Sequence, residues 1–190
     1  MAVQIDGGAT PRSRVVAAAR ALFLERGVHA TSLQMIADRI GVTKAAVYFQ
    51  FRSKDEIVRA VIAPAIARIT EMVTVAEQEQ SAARRFELAL DGLVGVVIEQ
   101  GEVAAMLRRD AEVSELVGED PEFRGLMTRL DGLLIGPKPS QDAKVTLALA
   151  GGGLMAVGSD PTWKQLHPDG LRRILHEAVE RALGPYRPQD

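Results

Sequence analysis

The sequence predicts an all-α protein, with a small N-terminal helical domain joined by a long fourth helix to a C-terminal helical bundle. Three observations carry this. Apolar residues recur at three- and four-residue spacing along almost the whole chain. The period-two alternation of a half-buried strand is absent. Helix start and stop residues fall between the periodic segments.

The first helix is predicted over Pro11–Arg26. Pro11 suits a first helical turn, where its missing N–H costs nothing. Val15, Ala18, Ala19, Leu22 and Phe23 make one apolar stripe. Gly27 is a natural stop. Thr31-Ser32-Leu33-Gln34 matches a capping box and starts a second helix that ends at Gly41. A third helix is expected from about Thr43 to Phe49.

Ser53-Lys54-Asp55-Glu56 is a second capping box and opens the long fourth helix, whose positive end Asp55 and Glu56 complement. Pro64 lies inside that helix, removes one backbone bond to Ala60, and is expected to kink it. The fourth helix is expected to run to about Gln78. Further helices are predicted at Ala82–Gln100, Glu102–Leu116, Pro121–Leu134, Gln141–Val157 and Asp169–Leu183. Gly136–Pro139 and Gly158–Pro168 read as loops, and the Pro/Arg tail after Gly184 as frayed.

Composition narrows the function classes. Hydrophobic residues make up 47% of 190, enough for a core without metals or cross-links. The absence of cysteine excludes disulfides, thiolate metal sites and cysteine nucleophiles. Met1–Thr10 lacks an apolar core segment, so no secretory signal is expected. No apolar run reaches the roughly 18 residues of a membrane span. The expectation is a soluble, cytoplasmic protein. The net charge of −2 is unevenly spread. Residues 1–56 hold eight Lys/Arg against five Asp/Glu, and residues 57–190 hold fifteen against twenty. A mildly basic head on an acidic body suits a DNA-binding head.

Residues 32–54, SLQMIADRIGVTKAAVYFQFRSK, carry the functional signal. Two short helices flank a tight turn at Gly41-Val42-Thr43. Ala37 is small where the helices cross, and Ile36, Ile40, Val42 and Val47 form a small core beneath. This is a helix-turn-helix pattern, whose second helix enters the major groove. Thr43, Lys44 and Ala45 lie at the N-terminal end of that helix, the part that meets base edges. Lys44 can donate to guanine or phosphate, and Ala45 can touch a thymine methyl. Tyr48 reaches a phosphate through its hydroxyl. Gln34 offers an amide to a base edge or phosphate. Lys54 stands in the first turn of the fourth helix, where free N–H groups already favour an anion.

The stretch AARALFLERGVHATSLQMIADRIGVTKAAVYFQFRSKDEIVRAV, within Arg14–Ile62, closely resembles the DNA-binding domain of the TetR family of bacterial regulators. The resemblance covers about a quarter of the chain. It implies that Ser32 and Gln34 meet phosphate and base, that Thr43, Lys44, Ala45, Tyr48 and Phe49 are recognition-helix contacts, and that Lys54 holds a phosphate. Phe51 matches a core aromatic. Gln50 stands where many members carry His. The domains expected are therefore 1–56, which binds DNA, and 57–190, which binds an effector and dimerises.

The resemblance further implies a homodimer through the last two long helices, about 141–157 and 169–183, a double-stranded operator, an unknown small-molecule effector and a nucleoid location. It implies repression, and no cofactor. The glycine-rich run Gly151–Gly153 is tolerable in a helix if a neighbour approaches closely, because each glycine costs about 1 kcal/mol in propensity. The alternative reading of that run is a local break. The body is poor in aromatics, so an apolar effector is favoured over a cation held by ring faces. Phe86, Leu90, Leu93 and Met106 are candidate pocket residues, together with Phe123, Met127 and Leu130.

Two other classes compete. An all-helical enzyme is disfavoured, because His29, His167 and His176 show neither metal-ligand nor triad spacing and no phosphate-binding loop is present. A helix-turn-helix adaptor regulated by protein partners, without effector, is the remaining alternative. A small molecule co-purifying with the protein would separate it from a ligand-responsive regulator.

Overall fold

A computed structural model describes residues 10–189; the segment 1–9, on which the expectation about a secretory signal rests, lies outside the described residues. The described residues contain ten α-helices and no strand. They are α1 (Pro11–Arg26), α2 (Leu33–Ile40), α3 (Lys44–Gln50), α4 (Lys54–Glu77), α5 (Ala82–Glu99), α6 (Gly101–Arg109), α7 (Ala111–Gly118), α8 (Pro121–Ile135), α9 (Gln141–Ser159) and α10 (Pro168–Leu183). None is long and apolar enough to cross a membrane.

Local signals account for most helix ends. Thr10, Ser53, Ser81 and Ser140 each accept the backbone amide three residues on. Gly27 closes α1 with φ 86° and ψ 161°, a conformation that only glycine adopts freely. The predicted apolar stripe of α1 is buried throughout. The fourth helix is unbroken through Pro64.

Several expectations need correction. The second helix is capped by Ser32, whose hydroxyl accepts from the Met35 amide at 3.2 Å, and not by Thr31. Thr31 is buried, and its hydroxyl donates to the Gly27 carbonyl at 2.8 Å. In the second capping box, Glu56 reaches back to the Arg52 amide, one residue before the Ser53 cap. The single helix expected over Glu102–Leu116 is two, because Asp110 is extended and its carboxylate binds the amide of Val28 at 3.1 Å. The segment after Gly158 is not all loop: α9 runs to Ser159 and Pro161–Gln165 forms a 3₁₀ turn. Gly151–Gly153 does not break α9.

The tail is also docked, not frayed. Arg187 lies 4.6 Å from the Phe86 ring centroid and reaches Glu87 and Glu180 at 3.9 Å. Tyr186 packs against the same body core. A cation–π contact and two carboxylates hold what composition alone suggested was loose.

The buried residues form two clusters. One joins α1–α3 and the start of α4 to Val103, Met106, Val113 and Val117 of α6 and α7. The other fills the body between α4, α5, α8, α9 and α10. The α6–α9 crossing is close at Gly101, where an added Cβ would collide with the Gly158 carbonyl oxygen, and α9 lies close to α5 at Gly158, where one would collide with Val97. The run Gly151–Gly153, by contrast, has open space in front of each Cα within the protomer.

Candidate functional site

The turn between α2 and α3 is set by Gly41, which is left-handed at φ 69° and ψ 38°. The Val42 amide then returns to the Ala37 carbonyl at 3.0 Å. Ala37 and Ile36 are fully buried beneath the turn, and Val47 pins α3 from the opposite side. Ile40 and Val42 pack at the edge. Burying Val47 points the rest of α3 outward. Thr43, Lys44, Ala45 and Tyr48 are exposed, and Phe49 is 74% exposed. A bare phenylalanine of that exposure, beside an exposed tyrosine, is unlike a core position and marks a contact surface. Thr43 also caps α3, accepting from the Ala46 amide at 3.2 Å.

The other sequence candidates fall into place unevenly. Ser32 is exposed and caps α2. Gln34 is exposed, but its amide donates to Asp38 at 2.7 Å, so it is already oriented. Lys54 is half-buried, and its ammonium donates to the Val28 carbonyl at 3.0 Å. Two arginines that sequence reasoning missed border this surface. The Arg52 guanidinium lies 5.6 Å from the Tyr48 ring centroid, a spacing of four residues that was open to notice. Arg12 lies 4.0 Å from the Phe51 centroid and donates to the Gln50 carbonyl at 2.8 Å, a contact across 38 residues with no local signal.

Behind α3, Arg39 grips Glu25 with two bonds of 2.6 and 3.1 Å, tying α2 to α1. The Arg39 bond holds the Glu25 carboxyl below its ordinary value.

Residues 15–61 match the family described as bacterial regulatory proteins, tetR family. These residues form a TetR-type head. The head is 43% identical over 54 residues to the transcriptional repressor BepR of Brucella suis, covering 28% of this chain and 26% of that one. It is equally 43% identical over 51 residues to the transcriptional activator FasR of Mycolicibacterium smegmatis, covering 27% and 23%. The match thus spans about a quarter of each relative. The whole fold is similar to that of a TetR-like regulator from Rhodococcus sp. RHA1, with a TM-score of 0.69, 25% identity, and coverage of 95% of this chain and 99% of that one. These relatives regulate transcription and indicate no enzyme family.

The body holds a cavity of about 360 Å³ beneath α4. Of the sequence candidates, Leu93, Phe123, Met127 and Leu130 line it. Phe86, Leu90 and Met106 do not. Phe86 and Leu90 are buried in the body core, and Met106 points into the head core. Ile62 and Ile66 of α4, Val103 and Leu107 of α6, and Gly151 and Leu154 of α9 complete the wall. Sequence alone could not choose between the two faces of α5 and α6, since both carry apolar side chains.

Helix α6 faces both ways. One face lines the cavity, while Glu102 binds Arg20 of α1 at 2.8 Å and Asp110, just past its end, holds the Val28 amide. His29 and Glu112 add a third contact at 3.2 Å. On the far side of the body, α9 exposes Val145 and Leu149, and α10 exposes Ile174.

Proposed function

We propose that this chain is a ligand-responsive transcriptional repressor that binds a palindromic operator as a homodimer and leaves it when a small apolar effector fills the body. The observation that carries this reading is the exposed face of α3, held outward by the fully buried Val47. Thr43, Lys44 and Ala45 are the base-reading residues, with Gln34 supporting them from α2. Ser32, Tyr48, Phe49 and Lys54 position the head on the backbone. The functional division lies near residue 56, and α4 belongs to both sides of it.

Dimerisation through α9 and α10 is supported by their exposed apolar side chains. Leu149 is 73% exposed, and no Cβ-sized obstacle stands before Gly152. A two-fold dimer makes the operator an inverted repeat. The effector reading rests on a cavity of about 360 Å³, within the range of small-molecule sites. A ligand that prefers one placement of α6 shifts the population of head positions, because Glu102 and Asp110 tie α6 to α1 and the Val28 segment. Heads out of register with the half-sites bind weakly. The head does not set the sign of regulation, since a repressor and an activator match it equally. Repression rests on the family resemblance alone, and it acts on nucleoid DNA in a bacterial cytoplasm.

Selection from a random duplex pool tests the reading. Enrichment of an inverted repeat at low salt is expected. Failure to enrich any two-fold site would falsify it.

A further inference from the structure

Among the described residues, the cavity wall carries one ionisable side chain, and it is acidic. Asp131 follows Leu130 and stands four residues after Met127 on α8, so it shares the helical stripe that lines the cavity. Helix stripes that face a cavity are apolar by default, and an aspartate there needs a reason. Solvent reaches Asp131 at the rim, while packing on the cavity side desolvates its carboxyl and pushes its pKa up. Desolvation is the cause of that rise, and no cation among the described residues offsets it. Gln100 is the other polar wall residue, and no Lys, Arg or His lines the space.

We propose that the cavity selects an apolar amine, whose hydrocarbon body fills the space under α4 and whose ammonium donates to Asp131 at the rim. This rests on the reading of the cavity as the effector site and names the class of ligand it takes. An ammonium supplies the counter-charge that the described cavity wall lacks, and a charge-assisted bond is about twice as strong as a neutral one. A fatty carboxylate of the same length would bring a second negative charge to the rim, with no cation in the wall to offset it. An alcohol would bury the same hydrocarbon but offer only a neutral donor. The volume favours a single chain or compact ring over a large polar conjugate.

Gly151 supplies an independent handle. It lines the cavity, yet an added Cβ would meet nothing within 4 Å. Gly151→Leu therefore adds volume at the cavity wall from a Cβ that meets no neighbour.

Calorimetric titration of the full chain at pH 7 with decylamine, decanol and decanoate, each below its aggregation concentration, tests the proposal. The amine is expected to bind about tenfold tighter than the alcohol or better, and the carboxylate weakest. Asp131→Asn is expected to bring the amine down to the alcohol. Gly151→Leu is expected to weaken all three, with circular dichroism showing an intact helical fold. Tightest binding of decanoate, or an amine preference that survives in Asp131→Asn, overturns the proposal. If decanol and decylamine bind equally and both are lost in Gly151→Leu, the cavity remains the effector site and the amine class is wrong. If none of the three binds, both readings fall.

Discussion

The backbone amide of Val28 donates to the carboxylate of Asp110 at 3.1 Å, across 82 residues of sequence. The carbonyl of the same residue accepts from Lys54 at 3.0 Å. Val28 is thus held from two sides, by the junction of α6 and α7 and by the first turn of α4. The segment between α1 and α2 is where the body grips the head.

Asp110→Ala removes the partner of a part-buried amide. Loss of about 1–2 kcal/mol of unfolding free energy is expected, read from the urea midpoint. The sharper expectation concerns coupling: at equal occupancy of the cavity, effector should release less DNA from the variant than from the parent. Release at parental levels would show that α6 signals by another route.

The reading surface separates two kinds of contact. Tyr48→Ala is expected to weaken every sequence alike, and Lys54→Ala to do so while lowering the slope of log affinity against log salt by about 1. Lys54→Ala should also cost stability, since its ammonium holds Val28. Lys44→Ala and Gln34→Ala should instead change which bases are preferred, by about 1–3 kcal/mol at the position each one reads. Competition titrations against single-base operator variants distinguish these outcomes.

Leu149→Glu places a charge at the centre of the exposed apolar face of α9. Sedimentation velocity is expected to show a monomer, with helical content retained and operator affinity sharply reduced, because only a dimer engages both half-sites. A variant that sediments as the parent does would move the dimer interface elsewhere.

Glu77 joins α4 to α8 through two bonds from Arg129, of 2.9 and 2.6 Å. The Arg129 hydrogen bonds hold the Glu77 carboxyl below its ordinary value of 4.5, against a smaller opposing effect of burial. A carboxyl depressed in the folded state stabilises the fold above its unfolded pKa, and loses that contribution as pH falls through the folded pKa. The parent should therefore melt higher than Glu77→Gln at neutral pH, with the gap closing as the pH is taken below 4.5. A gap independent of pH would assign the effect to packing.

The head was legible because its determinants are local. Pro11, Gly27, Gly41, Thr43 and Ser53 each act on backbone within a few residues, and the burial of Ile36, Ala37 and Val47 follows from helical period. Where a local pattern failed, a non-local partner had outcompeted it. Asp110 leaves a helix to bind Val28, and Arg187 orders a Pro-containing tail by docking on Phe86. The capping box at Thr31 yielded to the neighbouring serine because the threonine hydroxyl found the Gly27 carbonyl.

The sequence by itself determined the all-helical class, the helix-turn-helix and which side chains of α3 face outward, because periodicity and capping are encoded in neighbouring residues. The tertiary structure alone decided which apolar residues wall the cavity, that Asp131 stands at its rim, and that α6 spans from cavity to head. Those depend on how helices far apart in the chain cross, and a helix with apolar residues on two faces does not record in its own sequence which face looks into empty space.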